Sequence, residues 1–100
     1  MNNLFISYDL KNPGQNYDRV ITAIKELGSW AKVQYSLWFV SSTYTAKQAA
    51  DIVQRAQDAN DTLIVIDATN NDAAWYGLGT EVSEHIQKHW NRQTAGVSRY

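Results

Sequence analysis

The chain has no cysteine, and its single proline is Pro13. The lack of cysteine excludes disulfides, thiolate metal sites and cysteine nucleophiles, and it fits a cytoplasmic location. The chain also has no large excess of charge of either sign, because its nine Lys and Arg nearly balance its ten Asp and Glu. The net charge is -1. No basic excess draws the chain towards nucleic acid, so binding there would need a local cluster of cations or a metal.

Long apolar runs are missing too. No run approaches the ~20 residues of a transmembrane helix, and Met1-Asn2-Asn3 lacks the positive region of a signal peptide. We therefore expect no membrane partner. The hydrophobic fraction is 44%, which is enough for one modest core. It predicts a single domain over residues 1–90, followed by a polar tail, 91–100, that we expect to fray.

Apolar spacing predicts a β-α-β-β-α-β order followed by a third helix. The predicted strands are 3–9, 30–35, 37–40 and 63–66, and the predicted helices are 17–27, 46–59 and 80–90. The second and third strands meet at Tyr35-Ser36, which indicates a tight hairpin. Thr45 and Gln48 have the spacing of a capping box at the start of the second helix. The stretch 67–79 is rich in Asn and Asp and is predicted to be a loop.

This order predicts an α+β fold, a ferredoxin-like βαββαβ sandwich with an additional C-terminal helix. Two βαβ units joined by a hairpin give that arrangement, and right-handed crossovers place the first and third strands side by side in the centre. The strands 37–40 and 63–66 are apolar on both faces, although two helices cover only one face. We therefore expect a homodimer that covers the second face by two-fold symmetry. The alternative cover is the third helix.

Asp9 is the first candidate site residue. An apolar strand delivers its carboxylate to an exposed tip, and two copies meeting at a dimer axis would suit Mg²⁺ or Mn²⁺. Such a metal can activate water for phosphodiester cleavage. An aspartate before Asn12-Pro13-Gly14 also suits a turn. Asp61 lies at the same end of the sheet, either as a second carboxylate or as a turn residue.

Aromatic and histidine pairs provide further candidates. Trp75 and Tyr76 lie in the predicted loop and form a candidate contact site. His85 and His89 stand four residues apart on one helix face, where they either bind a transition metal or are simply solvated. The four tryptophans can stack on nucleic-acid bases or pack a core. The scarcity of positive charge favours packing.

Three segments carry a resemblance to a known family. They are the first strand ending in Tyr8-Asp9, the helix that starts at Tyr17 and is followed by Gly28, and the stretch Gln34-Tyr35-Ser36-Leu37-Trp38. The second helix and the strand Leu63-Ile64-Val65-Ile66 follow them in the order that the family shows. In this order they resemble Cas2, the small CRISPR-associated protein, and the related VapD-type proteins. The resemblance covers residues 3–67, about two thirds of the chain.

The resemblance implies a dimeric ferredoxin-like protein. It implies a metal-dependent nuclease, with RNA the favoured substrate, in which Asp9 of each subunit flanks one Mg²⁺ or Mn²⁺. Tyr8 and Ser36 would support that site. It equally implies a non-catalytic scaffold or regulatory module that binds protein, RNA or DNA. The chain departs from the family where basic residues usually cluster, since only Lys11 and Arg19 flank that stretch. Family members also often add a fifth strand that pairs with the partner subunit.

Overall fold

The structure is a computed structural model that describes residues 1–11, 17–69 and 71–89. Its elements are β1 (Asn2–Asp9), α1 (Tyr17–Lys25), β2 (Gly28–Gln34), β3 (Leu37–Ser42), α2 (Ala46–Gln54), β4 (Thr62–Asp67), β5 (Asp72–Tyr76) and α3 (Thr80–His89). None of the helices in these ranges has the length and apolar character that crossing a membrane requires. The predicted tail, 91–100, and Trp90 lie outside the described residues.

The strands form one antiparallel sheet in the order β2-β3-β1-β4-β5. β1 therefore lies in the middle with β3 beside it, and the predicted central pair is confirmed. Phe5 pairs with Phe39 of β3 on one side and with Ile66 of β4 on the other. The fold is α+β, with a five-stranded antiparallel sheet and three helices, and it is compatible with a ferredoxin-like arrangement.

The predicted loop 67–79 is wrong, because it contains β5, which pairs with β4 from Leu63↔Tyr76 to Asp67↔Asp72. Trp75 and Tyr76 consequently lie on a strand. Asp72, Ala73 and Ala74 have low β propensity, which hid the strand from sequence analysis. The available signal was the turn, since Asn71 has a positive φ of 55°, a conformation that Asn accepts in hairpin turns.

α1 and α2 pack on one face of the sheet because each carries an apolar stripe. Val20, Ala23 and Ile24 are buried on α1, and the capping box of Thr45 and Gln48 at the start of α2 is present as predicted. The helix ends at Gln54 rather than near residue 59. Under these helices lies the core, which includes Leu4, Ile6, Tyr8, Trp38, Val40, Leu63 and Val65 from the sheet.

The other face of the sheet is not covered by α1 or α2. We define the open face as the six partly exposed apolar side chains that share this side by strand alternation and register: Phe5, Leu37, Phe39, Ile64, Ile66 and Trp75. α3 was the alternative cover, but it has no buried residue and makes no extensive contact with any strand. In the described part of the chain, this apolar surface therefore has no full cover.

Candidate functional site

The open face is an apolar surface that the described fold leaves partly accessible, and two aromatic rings lie at its centre. Phe5 and Phe39 stand directly opposite each other on β1 and β3, with ring centroids 5.5 Å apart and planes tilted by 58°. Leu37 and Ile64 flank Ser7 in the next row. Adjacent apolar side chains on three neighbouring strands make a surface that another apolar surface can cover.

Asp9 lies at the rim of this face. Asp9 is two residues after Ser7 and four after Phe5 on β1, so its side chain lies on the same, open side of the sheet. It pairs in register with Thr62. The carboxylate is 70% exposed, and its Oδ2 is 3.1 Å from Lys11 Nζ. Asp9 is thus accessible and partly neutralised by Lys11. Asp9 lies four positions after Phe5, which corresponds to roughly 13 Å along the strand.

Asp61 lies at the same end of the sheet as Asp9, as expected, but both of its oxygens are engaged. Lys11 N–H donates to Oδ1 at 2.8 Å, and Asp58 N–H donates to Oδ2 at 2.8 Å. The side chain is buried, with 4% exposed. This is the arrangement of a turn residue, the second of the two alternatives for Asp61. Of the two candidate carboxylates at this end of the sheet, only that of Asp9 is therefore accessible.

Tyr8 and Ser36 lie close to Asp9 in the chain fold, but their hydrogen bonds are made to the core and to the backbone. Tyr8 points to the helix side, where Trp38 Nε1 donates to its hydroxyl at 3.3 Å. Burial raises the pKa of the Tyr8 phenol, and the hydrogen bond from Trp38 opposes this shift in part. The carbonyl of Ser36 accepts a hydrogen bond from Tyr8 N–H at 3.3 Å. Both residues therefore fix the end of β1 that carries Asp9.

Trp75 and Tyr76 point to opposite sides of β5. Trp75 belongs to the open face, and its Nε1 donates to Ser83 Oγ of α3 at 3.0 Å. Tyr76 faces α2, where its hydroxyl donates to Asp51 and accepts from Lys47 Nζ at 2.7 Å. Both side chains are partly buried. The pair predicted as one contact site is therefore divided between two surfaces.

An aromatic strip along β2 was missed by sequence analysis. Lys25 Nζ lies 4.4 Å from the ring centroid of Trp30, and Lys32 Nζ lies 5.1 Å from that of Tyr35. Trp30 also packs on Trp38, at 5.5 Å between ring centroids. Neither lysine has a carboxylate within ion-pair distance among the described residues. The signal was the alternation of Trp30 and Lys32, but the contribution of Lys25 from α1 depends on tertiary structure.

Metal-binding side chains are scattered over the described residues, where no group of three or more His, Asp or Glu lies close enough to hold an ion. A magnesium ion is commonly held by one or two carboxylates together with water and substrate phosphates. Of the candidate carboxylates Asp9 and Asp61, one copy of the chain offers only Asp9 for this purpose, because both oxygens of Asp61 accept backbone hydrogen bonds. The residues therefore fit Mg²⁺ or Mn²⁺ only if a second copy or a bound substrate supplies the other oxygens.

Comparisons with family models, with curated proteins and with solved structures found no match to this chain.

Proposed function

We propose that the protein is a ferredoxin-like homodimer that serves as a non-catalytic binding module, the scaffold role that the Cas2 and VapD-type resemblance implies. The open face is the observation that supports this proposal most strongly. Its six apolar side chains lie on four adjacent strands, and α3 leaves them partly exposed. Removing apolar surface from water is favourable by about 25 cal/mol per Å² in transfer free energy, and association keeps only what exceeds the ordering costs of binding. Covering this face therefore favours a partner that is itself apolar.

A second copy of the chain fits this requirement. In a two-fold dimer the same patch meets itself, so Phe5 and Phe39 of one copy would pack near the same residues of its partner. The patch carries no charged side chain apart from Asp9 at its rim, which suits self-association at the centre. Aromatic residues with low conformational freedom are typical anchors of such interfaces.

The surface that such a dimer leaves accessible includes the strip of Lys25, Trp30, Lys32 and Tyr35. Trp30 is 45% exposed and Tyr35 is 78% exposed. Exposed rings beside uncompensated ammonium groups suit a partner with flat bases and phosphates, as in single-stranded nucleic acid. The bulge near Val33 and the lysine on this edge strand oppose the addition of a further strand. We therefore assign nucleic acid to this strip as the partner of the module.

The dimer is tested by the change Phe39→Asp, which places a charge in the centre of the open face. Light scattering after size exclusion should give a dimer for the wild type and a folded monomer for the variant. The matched control is Tyr44→Asp, because Tyr44 is an exposed aromatic residue outside the open face and its replacement should leave the dimer intact. A Phe39→Asp variant that remains dimeric and folded would contradict the proposal.

The strip is tested separately by titrating a single-stranded RNA into the protein and following tryptophan fluorescence. Trp30→Ala should weaken binding by about 1–3 kcal/mol, the usual value of one base stacked on an aromatic ring. Tyr44→Ala should leave the affinity unchanged. Equal RNA affinity of Trp30→Ala and the wild type would contradict nucleic-acid binding at this strip. It would not contradict the proposed dimer.

A metal-dependent nuclease is the second candidate function, and the position of Asp9 on the open side favours it. A two-fold axis near the end of β1 would bring Asp9 of both copies together, where they would hold Mg²⁺ or Mn²⁺. Such an ion supplies Lewis-acid stabilisation of the phosphodiester and a more acidic bound water. Asp9 would orient the ion, and Lys11 would move from Asp9 to a phosphate. An axis through Phe5 would instead separate the two Asp9 residues by roughly 26 Å.

The position of the axis can be measured because the chain contains no cysteine. Asp9→Cys should form an intermolecular disulfide only if the two Cα atoms approach within about 7 Å, and Asp72→Cys is the control. Cleavage of RNA with Mg²⁺ or Mn²⁺ should then be lost in Asp9→Ala and retained in Asp72→Ala. Full cleavage by Asp9→Ala would contradict the nuclease candidate, whereas an intermolecular disulfide in Asp9→Cys would support it.

A further inference from the structure

Two imidazoles form a close pair on α3, and neither belongs to the open face or to the aromatic strip along β2. His85 and His89 are one helical turn apart, with ring centroids 4.4 Å apart and ring planes at 42°. Both side chains are exposed. In the described part of the chain neither makes a side-chain hydrogen bond or an ion pair with a carboxylate. Their proximity is therefore set by the helix itself, and their ring nitrogens are available to a ligand.

We propose that His85 and His89 chelate a divalent transition metal, with Zn²⁺ as the probe ion. Imidazole nitrogen is a good ligand for Zn²⁺, Ni²⁺ and Cu²⁺ and a poor one for Mg²⁺. Two histidines four residues apart on one helix face also supply the zinc ligands of the His-Glu-x-x-His motif. Here Ile86 occupies the place of the glutamate, so the pair lacks the general base of a hydrolase. The pair is therefore assigned metal binding alone.

The remaining coordination positions are open. A cavity of about 400 Å³ lies beside His85 and is lined by Glu81, Val82 and Ile86 as well. This space accommodates water or a ligand from another molecule. Glu81 is one turn before His85, but the described residues include no cluster of three metal-binding side chains. Two protein ligands therefore hold the ion, and its affinity should follow the order Cu²⁺ above Zn²⁺.

Metal binding should also stabilise α3. The helix has ten residues and none of them is buried, and isolated helices of this length are only marginally stable. A chelate between His85 and His89 joins successive turns and therefore favours the helical conformation. Ser83 connects the same helix to Trp75 at the border of the open face. The ion would thus fix α3 beside the open face, without depending on the proposed dimer.

The experiment uses the full chain and proton NMR, because His85 and His89 are its only histidines. Titration with Zn²⁺ should shift the ring signals of both residues with the same saturation curve, whereas Mg²⁺ should leave them unchanged. A response of the ring signals to Zn²⁺ but not to Mg²⁺ separates this site from the candidate carboxylate site. Shifts confined to one histidine would contradict chelation.

A matched control keeps the composition and changes only the spacing. The double change His85→Gln with Gln87→His moves the histidines to positions two residues apart, which lie on different helix faces. All three positions are exposed, so the fold should persist, and circular dichroism checks this. Zn²⁺ affinity should fall by about tenfold or more, equivalent to 1.4 kcal/mol. Equal affinity in the double variant and the wild type would overturn the proposal.

Discussion

The rings of Phe5 and Phe39 lie side by side on the face of the sheet that α1 and α2 leave uncovered, with centroids 5.5 Å apart. Cross-strand aromatic pairs stabilise a sheet, but this pair keeps one side towards solvent. Full burial requires another apolar surface, which is the reason for proposing a second copy of the chain. Asp9 lies on the same side of the sheet, so the candidate metal site would be at the rim of that interface.

Asp61 and Asp9 should differ sharply in their effect on stability. Asp61→Ala leaves the N–H groups of Lys11 and Asp58 without their carboxylate acceptor, which should lower the free energy of unfolding by about 1–3 kcal/mol. Asp9→Ala removes only an exposed ion pair, and such pairs contribute at most about 1 kcal/mol. Urea unfolding of both variants measures the difference. A larger loss in Asp9→Ala than in Asp61→Ala would contradict these assignments.

Tyr76→Phe should reduce stability because Tyr76 connects β5 to α2 through Asp51 and Lys47. The hydrogen bond from Tyr76 is the main cause that holds the pKa of Asp51 below its ordinary 3.8, and the hydrogen bond from Lys47 is the next. The hydrogen bond from Lys47 to Tyr76 is the main cause that raises the pKa of Lys47 above its ordinary 10.5, and the hydrogen bond to Asp51 is the next. Thermal unfolding should therefore show a lower midpoint for the variant near neutral pH.

The pH dependence of that difference follows from the two shifts. The Asp51 contribution is complete above its ordinary pKa and is lost as pH falls through the lowered pKa, because the unfolded state then binds the proton more readily. The Lys47 contribution is complete below its ordinary pKa and is lost as pH rises through the raised pKa. The gap between wild type and Tyr76→Phe should thus shrink at both extremes. Tyr44→Phe is the control, and it should show no such gap.

Tyr8→Phe should destabilise the core. It removes the acceptor of the Trp38 indole N–H in a site where both side chains are buried, and an unpaired buried donor costs about 1–3 kcal/mol. Denaturant unfolding followed by circular dichroism measures this loss. Tyr35→Phe, at an exposed position, should unfold like the wild type. Equal stability of Tyr8→Phe and Tyr35→Phe would show that the Tyr8 hydroxyl is not a structural acceptor.

Gly77→Ala should be destabilising for a conformational and a steric reason. Gly77 has a φ of 85°, and a Cβ there would lie 2.4 Å from the carbonyl oxygen of Asp61. A side chain with this contact forces the backbone to shift, at a cost of about 1–3 kcal/mol. Gly79→Ala is the control, because a Cβ at Gly79 meets no atom within 4 Å. A loss as large in Gly79→Ala as in Gly77→Ala would contradict the steric explanation.

Sequence patterns predict the parts of this fold that depend on local periodicity. The apolar stripes of α1 and α2, the capping box of Thr45 and the central position of β1 follow from spacing and handedness alone. β5 could not be predicted in the same way, because its alanines carry little strand preference and its pairing with β4 is a tertiary interaction. The division of Trp75 and Tyr76 between two surfaces follows only once that pairing is known.

The candidate site shows the same limit. The strand-tip position of Asp9 is a local property and was predicted, as was its shared end with Asp61. The capture of Asp61 by two backbone N–H groups depends on how the turn at 58–61 meets Lys11, which no spacing rule contains. The approach of Lys25 to Trp30 likewise joins a helix end to an edge strand.

The most direct test of the open-face dimer is an isotope-filtered NOE experiment on a mixture of labelled and unlabelled copies of the chain. If the open face forms the dimer, intermolecular NOEs should reach the methyl groups of Leu37, Ile64 and Ile66. None should reach those of Val20 and Val53, which are buried between the helices and the other face of the sheet. Intermolecular NOEs that involve other methyl groups but not those of the open face would contradict the open-face dimer. The absence of any intermolecular NOE at a protein concentration high enough to populate a stable dimer would contradict it as well.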